Sequence, residues 1–327
     1  MINFSNGDII KVLMKRGLIK MNPVFSLTLD QMLMFFVVMI IGFILQRKNI
    51  VPENADVSIS RVLANVLAPA LVLKTFISNF TLDTLIEKSQ ILLWSSIILF
   101  ILIFVGTALA NFFADNRYVK YLYTYSFIVA NIGYMGQPLT EAVFGSEALF
   151  NMIIFSIPFY VYIYSVGITR MNPQNQKVSL KSLANPTFYM MGLGIIIGLS
   201  GVQIPEFATK TVSALSSCVG VFAMLLTGMV IAKYNLLEMV SSGRVYVAAI
   251  IRLIVIPGVV MLILKWANFP ENITAPALCS LAMPMGLNTV VFPAAYGGDT
   301  RPGAAMALIS NILGVITIPL MFSFFAG

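Results

Sequence analysis

Two stretches of this sequence could hold an ion inside a membrane. Asn131-Ile132-Gly133-Tyr134-Met135-Gly136-Gln137-Pro138 lies in the middle of one apolar run, and Met283-Pro284-Met285-Gly286-Leu287-Asn288-Thr289, extending to Pro293, lies in the middle of another. Proline removes a backbone donor and glycine accepts almost any backbone angle, so both stretches are expected to unwind. Unwound backbone survives in hydrocarbon only where protein buries it or a water-filled cavity meets it. The helix that restarts after each break presents free N–H groups and about half a positive charge, which suits a carboxylate. Asn131, Gln137, Asn288 and Thr289 add neutral donors and acceptors. With Gly133, Gly136, Pro138, Met285, Gly286 and Pro293 they form the predicted binding set, and the absence of a fixed charge lets such a site cross the membrane empty.

Two further residues extend that set. Arg252 lies eight residues past Arg244, about 12 Å along a helix and well inside a hydrocarbon core of about 30 Å. A charge at that depth is a candidate for neutralising an anion, with snorkelling or bonding to unwound carbonyls as the alternative. Asn65, four residues before Pro69, is expected either to face the cavity or to pack between helices.

Composition limits the chemistry. The 327 residues are 59% hydrophobic and 10% charged, with a mean hydropathy of +0.91, far from the roughly 25% charge of a soluble domain. No histidine is present, which excludes a serine–histidine pair, an HExxH zinc site and histidine haem ligation. Cys218 and Cys279 read as small apolar residues, so no metal or cofactor is expected. The net charge of +7 is spread over the loops and does not point to nucleic acid. The expected surroundings are a lipid bilayer.

Run length and flanking charge predict an all-α integral membrane protein with ten spans, near 27–46, 57–77, 90–113, 121–142, 148–169, 186–202, 208–232, 244–266, 274–296 and 302–325. Residues 1–25 read as a leader. Residues 26–169 hold five spans, 170–185 form a connector, and 186–327 hold five more. The halves share landmarks. Pro52-Glu53 against Pro205-Glu206, Asn131 against Asn288, Pro138 against Pro293, and Glu147 against Asp299 are each separated by about 155 residues. An odd number of spans per half makes the repeats inverted, with spans four and nine broken and crossing at a shared site. Lys and Arg concentrate in the loops after the odd-numbered spans, which places both termini outside.

Asn-x-Gly-x-Met-Gly-x-Pro-Leu from Asn131, Phe144-Gly145, Tyr296-Gly297-Gly298-Asp299 and Ser310-Asn311-Ile312-Leu313 together resemble the auxin efflux carrier family, including its bacterial malate-permease-like members. The resemblance runs over residues 22–327. It implies a scaffold of spans one, two, six and seven, and a transport bundle of spans three to five and eight to ten that moves as an elevator. It also implies a small organic anion as substrate, with a dicarboxylate such as malate favoured, and a homodimer in the bacterial plasma membrane. Asn131 and Pro138 match the family's first crossover; either Pro284 or Pro293 matches the second. The short connector between spans five and six makes auxin itself a poor fit.

Asp30, Asp83, Glu87 and Glu141 stand near span ends and form no buried acid chain, so both uniport and proton coupling stay open. An anion channel is the alternative reading. A weaker one is an intramembrane protease, since Gly297-Gly298-Asp299 resembles part of such a signature.

Overall fold

Proline placement explains much of the helical architecture. Besides a π-type turn at Ile163–Gly167, three wide π-type turns lie at Leu63–Leu67, Ile132–Gly136 and Ile251–Val255 in the computed structural model, which describes residues 22–171, 186–296 and 298–326. Each of the three is followed at the second residue of the next helix by proline, namely Pro69, Pro138 and Pro257. A proline ring collides with the carbonyl four residues earlier and gives it no N–H, and in all three cases that carbonyl belongs to the widened turn. At Leu63–Leu67 and Ile251–Val255 the helix widens instead of breaking, whereas Ile132–Gly136 follows non-helical backbone.

In chain order the helices are α1 (Pro23–Arg47), α2 (Ala55–Val62), α3 (Ala68–Asn79), α4 (Leu82–Ala110), α5 (Arg117–Ile128), α6 (Gln137–Tyr162) and α7 (Ile168–Met171). There follow α8 (Pro186–Ser200), α9 (Glu206–Ser217), α10 (Val219–Ala232), α11 (Leu236–Val240), α12 (Gly243–Ile250), α13 (Ile256–Trp266), α14 (Glu271–Leu281), α15 (Asn288–Tyr296) and α16 (Arg301–Ala326). The described residues are all-helical apart from one isolated bridge. Seven of the resulting helices are long and apolar enough to cross a membrane, and α8 is a shorter apolar helix.

Side-chain caps set several starts. Asn22 accepts from Val24 N at 2.9 Å ahead of Pro23 in α1, and Asn116 accepts from Val119 N at 2.8 Å in α5. Both occupy donors that the first turn of a helix leaves free.

The segment Ile132–Met171 is one continuous run by hydrogen bonding, yet it cannot be straight. Gly145 inside α6 has φ +85° and ψ −177°, a conformation that only glycine adopts cheaply. Gln137 Nε2 lies 2.6 Å from Tyr160 OH, and Thr140 Oγ1 lies 3.1 Å from Met152 Sδ. In a straight helix 23 residues span about 35 Å. The chain therefore doubles back at Gly145, and the segments on either side lie against each other.

Helices α1 and α10 pack closely, as do α3 and α8. A Cβ on Gly228 would lie 1.9 Å from Met39 O, and one on Gly42 would lie 2.1 Å from Leu225 O. Glycine at these two positions lets the backbones of α1 and α10 touch, the small-residue packing that membrane helices favour. The expected leader falls almost wholly in residues 1–21 and the expected connector largely in 172–185, both outside the described residues.

Candidate functional site

The two breaks meet. Helix α5 ends at Ile128, and Val129 continues in extended backbone. Ala130 forms an antiparallel bridge with Met285, and Asn131 N donates to Pro284 O at 2.8 Å. Helix α14 ends at Leu281, and α15 restarts at Asn288. The orphaned backbone groups of one break are thus partly satisfied by the other, which is how irregular backbone is tolerated inside a bundle. Pro284, rather than Pro293, marks the second break; Pro293 lies inside α15.

Glycine permits this closeness. A Cβ on Gly286 would lie 3.2 Å from the Tyr125 ring and 3.4 Å from the carbonyls of both Val129 and Ala130. A Cβ on Gly136 would meet Met152 Cε at 2.6 Å and Met283 Cγ at 2.9 Å. Ser310 on α16 holds the second break from behind, since its Oγ accepts from Met285 N at 3.1 Å. Thr289 Oγ1 donates to Gly286 O at 2.9 Å and is fully buried.

A pocket opens at the crossing. It is lined by Asn131, Ile132, Gly133, Tyr134 and Gln137 from the first break, and by Gly286, Leu287 and Asn288 from the second. Ala64, Ala68 and Val72 on the α2–α3 segment, Thr187 on α8, and Tyr160 and Ile163 complete it. Its volume is about 40 Å³. Since one water needs roughly 10–15 Å³ on this measure, the pocket has room for a few waters.

Polar groups in the pocket differ in their freedom. Asn288 Nδ2 donates to Tyr125 OH at 2.8 Å, and Gln137 Nε2 donates to Tyr160 OH at 2.6 Å. Asn131 is 3% exposed, and its side-chain amide makes no hydrogen bond among the described residues. An amide that reaches a pocket with its hydrogen-bonding capacity unused is available to a ligand or to water. Among the described residues no charged side chain lines the pocket. Lys74 on α3 and Glu141 on α6 form an ion pair of 2.6 Å, each about a quarter exposed. They lie a few residues beyond Val72 and Gln137 in sequence.

Of the predicted set, Asn131, Gly133, Gln137, Gly286 and Asn288 line the pocket. Gly136, Pro138, Met285 and Thr289 shape or support the breaks without lining it, and Pro293 lies inside α15 and does neither. Two expectations need correction. Asn65 is exposed, and its amide donates to Arg61 O at 2.8 Å within its own segment, while its neighbour Ala64 reaches the pocket. Arg252 is fully buried outside the pocket lining, and its Nη1 donates to Leu281 O at 2.7 Å. The bond goes to a backbone carbonyl, as the alternative had it, but to one at a helix end rather than in unwound backbone.

Tyr125, Tyr160 and Ser310 were not in the predicted set. A tyrosine in an apolar helix usually needs a partner for its hydroxyl, and that signal was available for Tyr125 and Tyr160. Away from the membrane segments, Tyr118 donates to Asp299 O at 2.9 Å. Burial, and then the Asp299 carboxylate, push its phenol up to about 12. Among the described residues no group of His, Cys, Asp and Glu could hold a metal ion. The side chains of Asp83 and Glu87 lie outside the described residues.

Comparison with known proteins gives two findings. The profile of the family described as "Membrane transport protein" matches residues 27–181 and 174–322. A protein of Methanothermobacter thermautotrophicus described as an uncharacterized transporter is 22% identical over 307 residues, covering 91% of this chain and 98% of its own length.

Proposed function

This chain belongs to the membrane transport protein family, that of the auxin efflux carriers, and from that premise we propose that it is a secondary carrier for a small organic carboxylate bound where its two broken helices cross. The observation that carries the reading is the Asn131 amide, 3% exposed, with no hydrogen-bond partner among the described residues, and set at the pocket where the breaks exchange a 2.8 Å hydrogen bond. The first turns of both restarting helices line that pocket. Each brings about half a positive charge, so together they offset one carboxylate.

The charge balance bears on the choice of acid. The resemblance favoured a dicarboxylate such as malate, but Arg252, the deep charge that could have neutralised an anion, stands outside the pocket lining. A second carboxylate would have to draw Lys74 away from Glu141. A single carboxylate needs no such rearrangement.

The proposed architecture is ten passes in two inverted halves. The reversal at Gly145 supports it, because it divides Ile132–Met171 into the end of one pass and the whole of the next. Helix α8 and the two broken helices supply passes too short to count as single long helices. The pocket is bounded by α2–α3 and α8 on one side and by both crossovers on the other, the arrangement expected if a crossover bundle slides as an elevator against a scaffold. The proposed setting is a bacterial plasma membrane, as a homodimer with both termini outside.

Currents from purified protein in liposomes on a solid-supported membrane test the reading, with malate, malonate, lactate and indole acetate applied at two pH values. A saturable current that Asn131→Ala abolishes is expected. A non-saturating, channel-like conductance, or a current unchanged by Asn131→Ala, would contradict it.

A further inference from the structure

Arg252 is an anomaly that carriage of an anion does not use. It is fully buried, its Nη1 donates to Leu281 O at 2.7 Å, and Nε and Nη2 have no hydrogen-bond partner among the described residues. No acidic side chain pairs with it among the described residues. Burying an unpaired guanidinium costs several kcal/mol, so a residue serving packing alone would be better apolar. The atom it does bond is informative. Leu281 is the last residue of α14, and its carbonyl is one of the acceptors that a helix end leaves unsatisfied, at the negative end of the helix dipole. The segment that follows carries Pro284, the bridge residue Met285 and the pocket residues Gly286 to Asn288.

We propose that Arg252 is a positioning residue: its guanidinium pins the broken end of α14 to the α12–α13 segment and thereby fixes residues 282–288, the backbone that meets the first break and forms half of the pocket. Three supports then hold that segment. Asn131 N pairs with Pro284 O from one side, Ser310 Oγ holds Met285 N from another, and Arg252 holds the end from which the segment departs. The guanidinium also supplies the positive charge that the negative end of α14 would otherwise lack in a medium of low dielectric. Its π-type turn at Ile251–Val255, widened by Pro257, packs against α5 and α16, so the pin stands on the elements that flank the crossing. This inference rests on the crossover being the binding site, yet it makes a claim about the backbone that needs no substrate to examine.

Amide hydrogen exchange on substrate-free protein in nanodiscs is the test, comparing the parent with Arg252→Gln and Arg252→Lys. Arg252→Gln is expected to speed exchange at residues 283 and 285–290 about tenfold, the scale of a lost helix-end charge and its hydrogen bond, while α1 and α10 stay unchanged. Arg252→Lys, whose ammonium keeps a charge and a donor for the Leu281 carbonyl, is expected to stay within about threefold of the parent. Unchanged exchange at 283–290 in the Gln variant would overturn the proposal, as would acceleration spread evenly over the chain. If the Gln variant does not yield folded protein, the Lys variant decides: parent-like exchange supports the pin, and a tenfold local acceleration overturns it. Asn131→Ala provides the separation from the binding reading. It is expected to leave exchange at 283–290 near the parent's and to abolish the carboxylate current, so either claim can fail without the other.

Discussion

At the scale of single residues, Asn131 and Asn288 are chemically alike and differently committed. The Asn288 amide is already bonded to Tyr125 OH, whereas the Asn131 amide has no hydrogen bond among the described residues. Asn131→Ala is therefore expected to weaken carboxylate binding by about tenfold or more, the scale of a hydrogen bond to a charged group. Tyr125→Phe is expected to weaken it less, by releasing the Asn288 amide rather than removing it. Titration of the purified variants with the acid that gives the largest current measures both, and a larger loss in Tyr125→Phe than in Asn131→Ala would reverse this assignment. The sequence made Asn131 and Asn288 legible because they sit beside the residues that break helices. It made Arg252 visible as a deep charge and left its partner open, since nothing in a one-dimensional pattern says that the Leu281 carbonyl lies within reach.

At the scale of elements, two sets of glycines do different work. Gly42 and Gly228 permit contact between α1 and α10, where an added Cβ would fall about 2 Å from backbone oxygen. Gly42→Ala and Gly228→Ala should each lower thermal stability in detergent by several degrees, because backbone rather than a flexible side chain would have to move. Gly145 has open space around its Cβ position and a φ of +85° with ψ −177°, so Gly145→Ala costs backbone strain without a clash, about 1–3 kcal/mol. Its expected signature is a smaller fall in melting temperature than that of Gly228→Ala. An equal or larger fall would mean that the Gly145 turn is held by contacts beyond its own backbone angle. The order and rough extent of the helices were readable from run length, and the breaks from Pro and Gly. The count of long helices was not. The reversal at Gly145 occurs without a loop, so the end of one expected pass and the next form a single hydrogen-bonded run, while α8 and the pieces around each break are short. Asn65 was misplaced for a related reason. The π-type turn at Leu63–Leu67 shifts the helix face, and Ala64 and Ala68 meet the pocket instead.

At the scale of the whole molecule, the Lys74–Glu141 pair joins the two bodies that an elevator would move past each other. It is partly exposed, so its contribution to stability is modest, but sliding would have to separate it. Lys74→Glu alone is expected to slow transport by setting like charges together, and Lys74→Glu with Glu141→Lys to restore most of the rate. Initial rates of uptake into proteoliposomes give the comparison. A double variant no better than the single one would remove this contact from the moving interface.

The most direct test of the central claim is counterflow of a radiolabelled carboxylate into liposomes preloaded with the same unlabelled acid, using the parent and Asn131→Ala. The crossover account predicts a transient, saturable accumulation of label with the parent for at least one of lactate, malate, malonate and indole acetate, and its loss in Asn131→Ala. Accumulation of equal size in both proteins would place the binding site elsewhere, and label that equilibrates without an overshoot or saturation would replace the carrier with a channel.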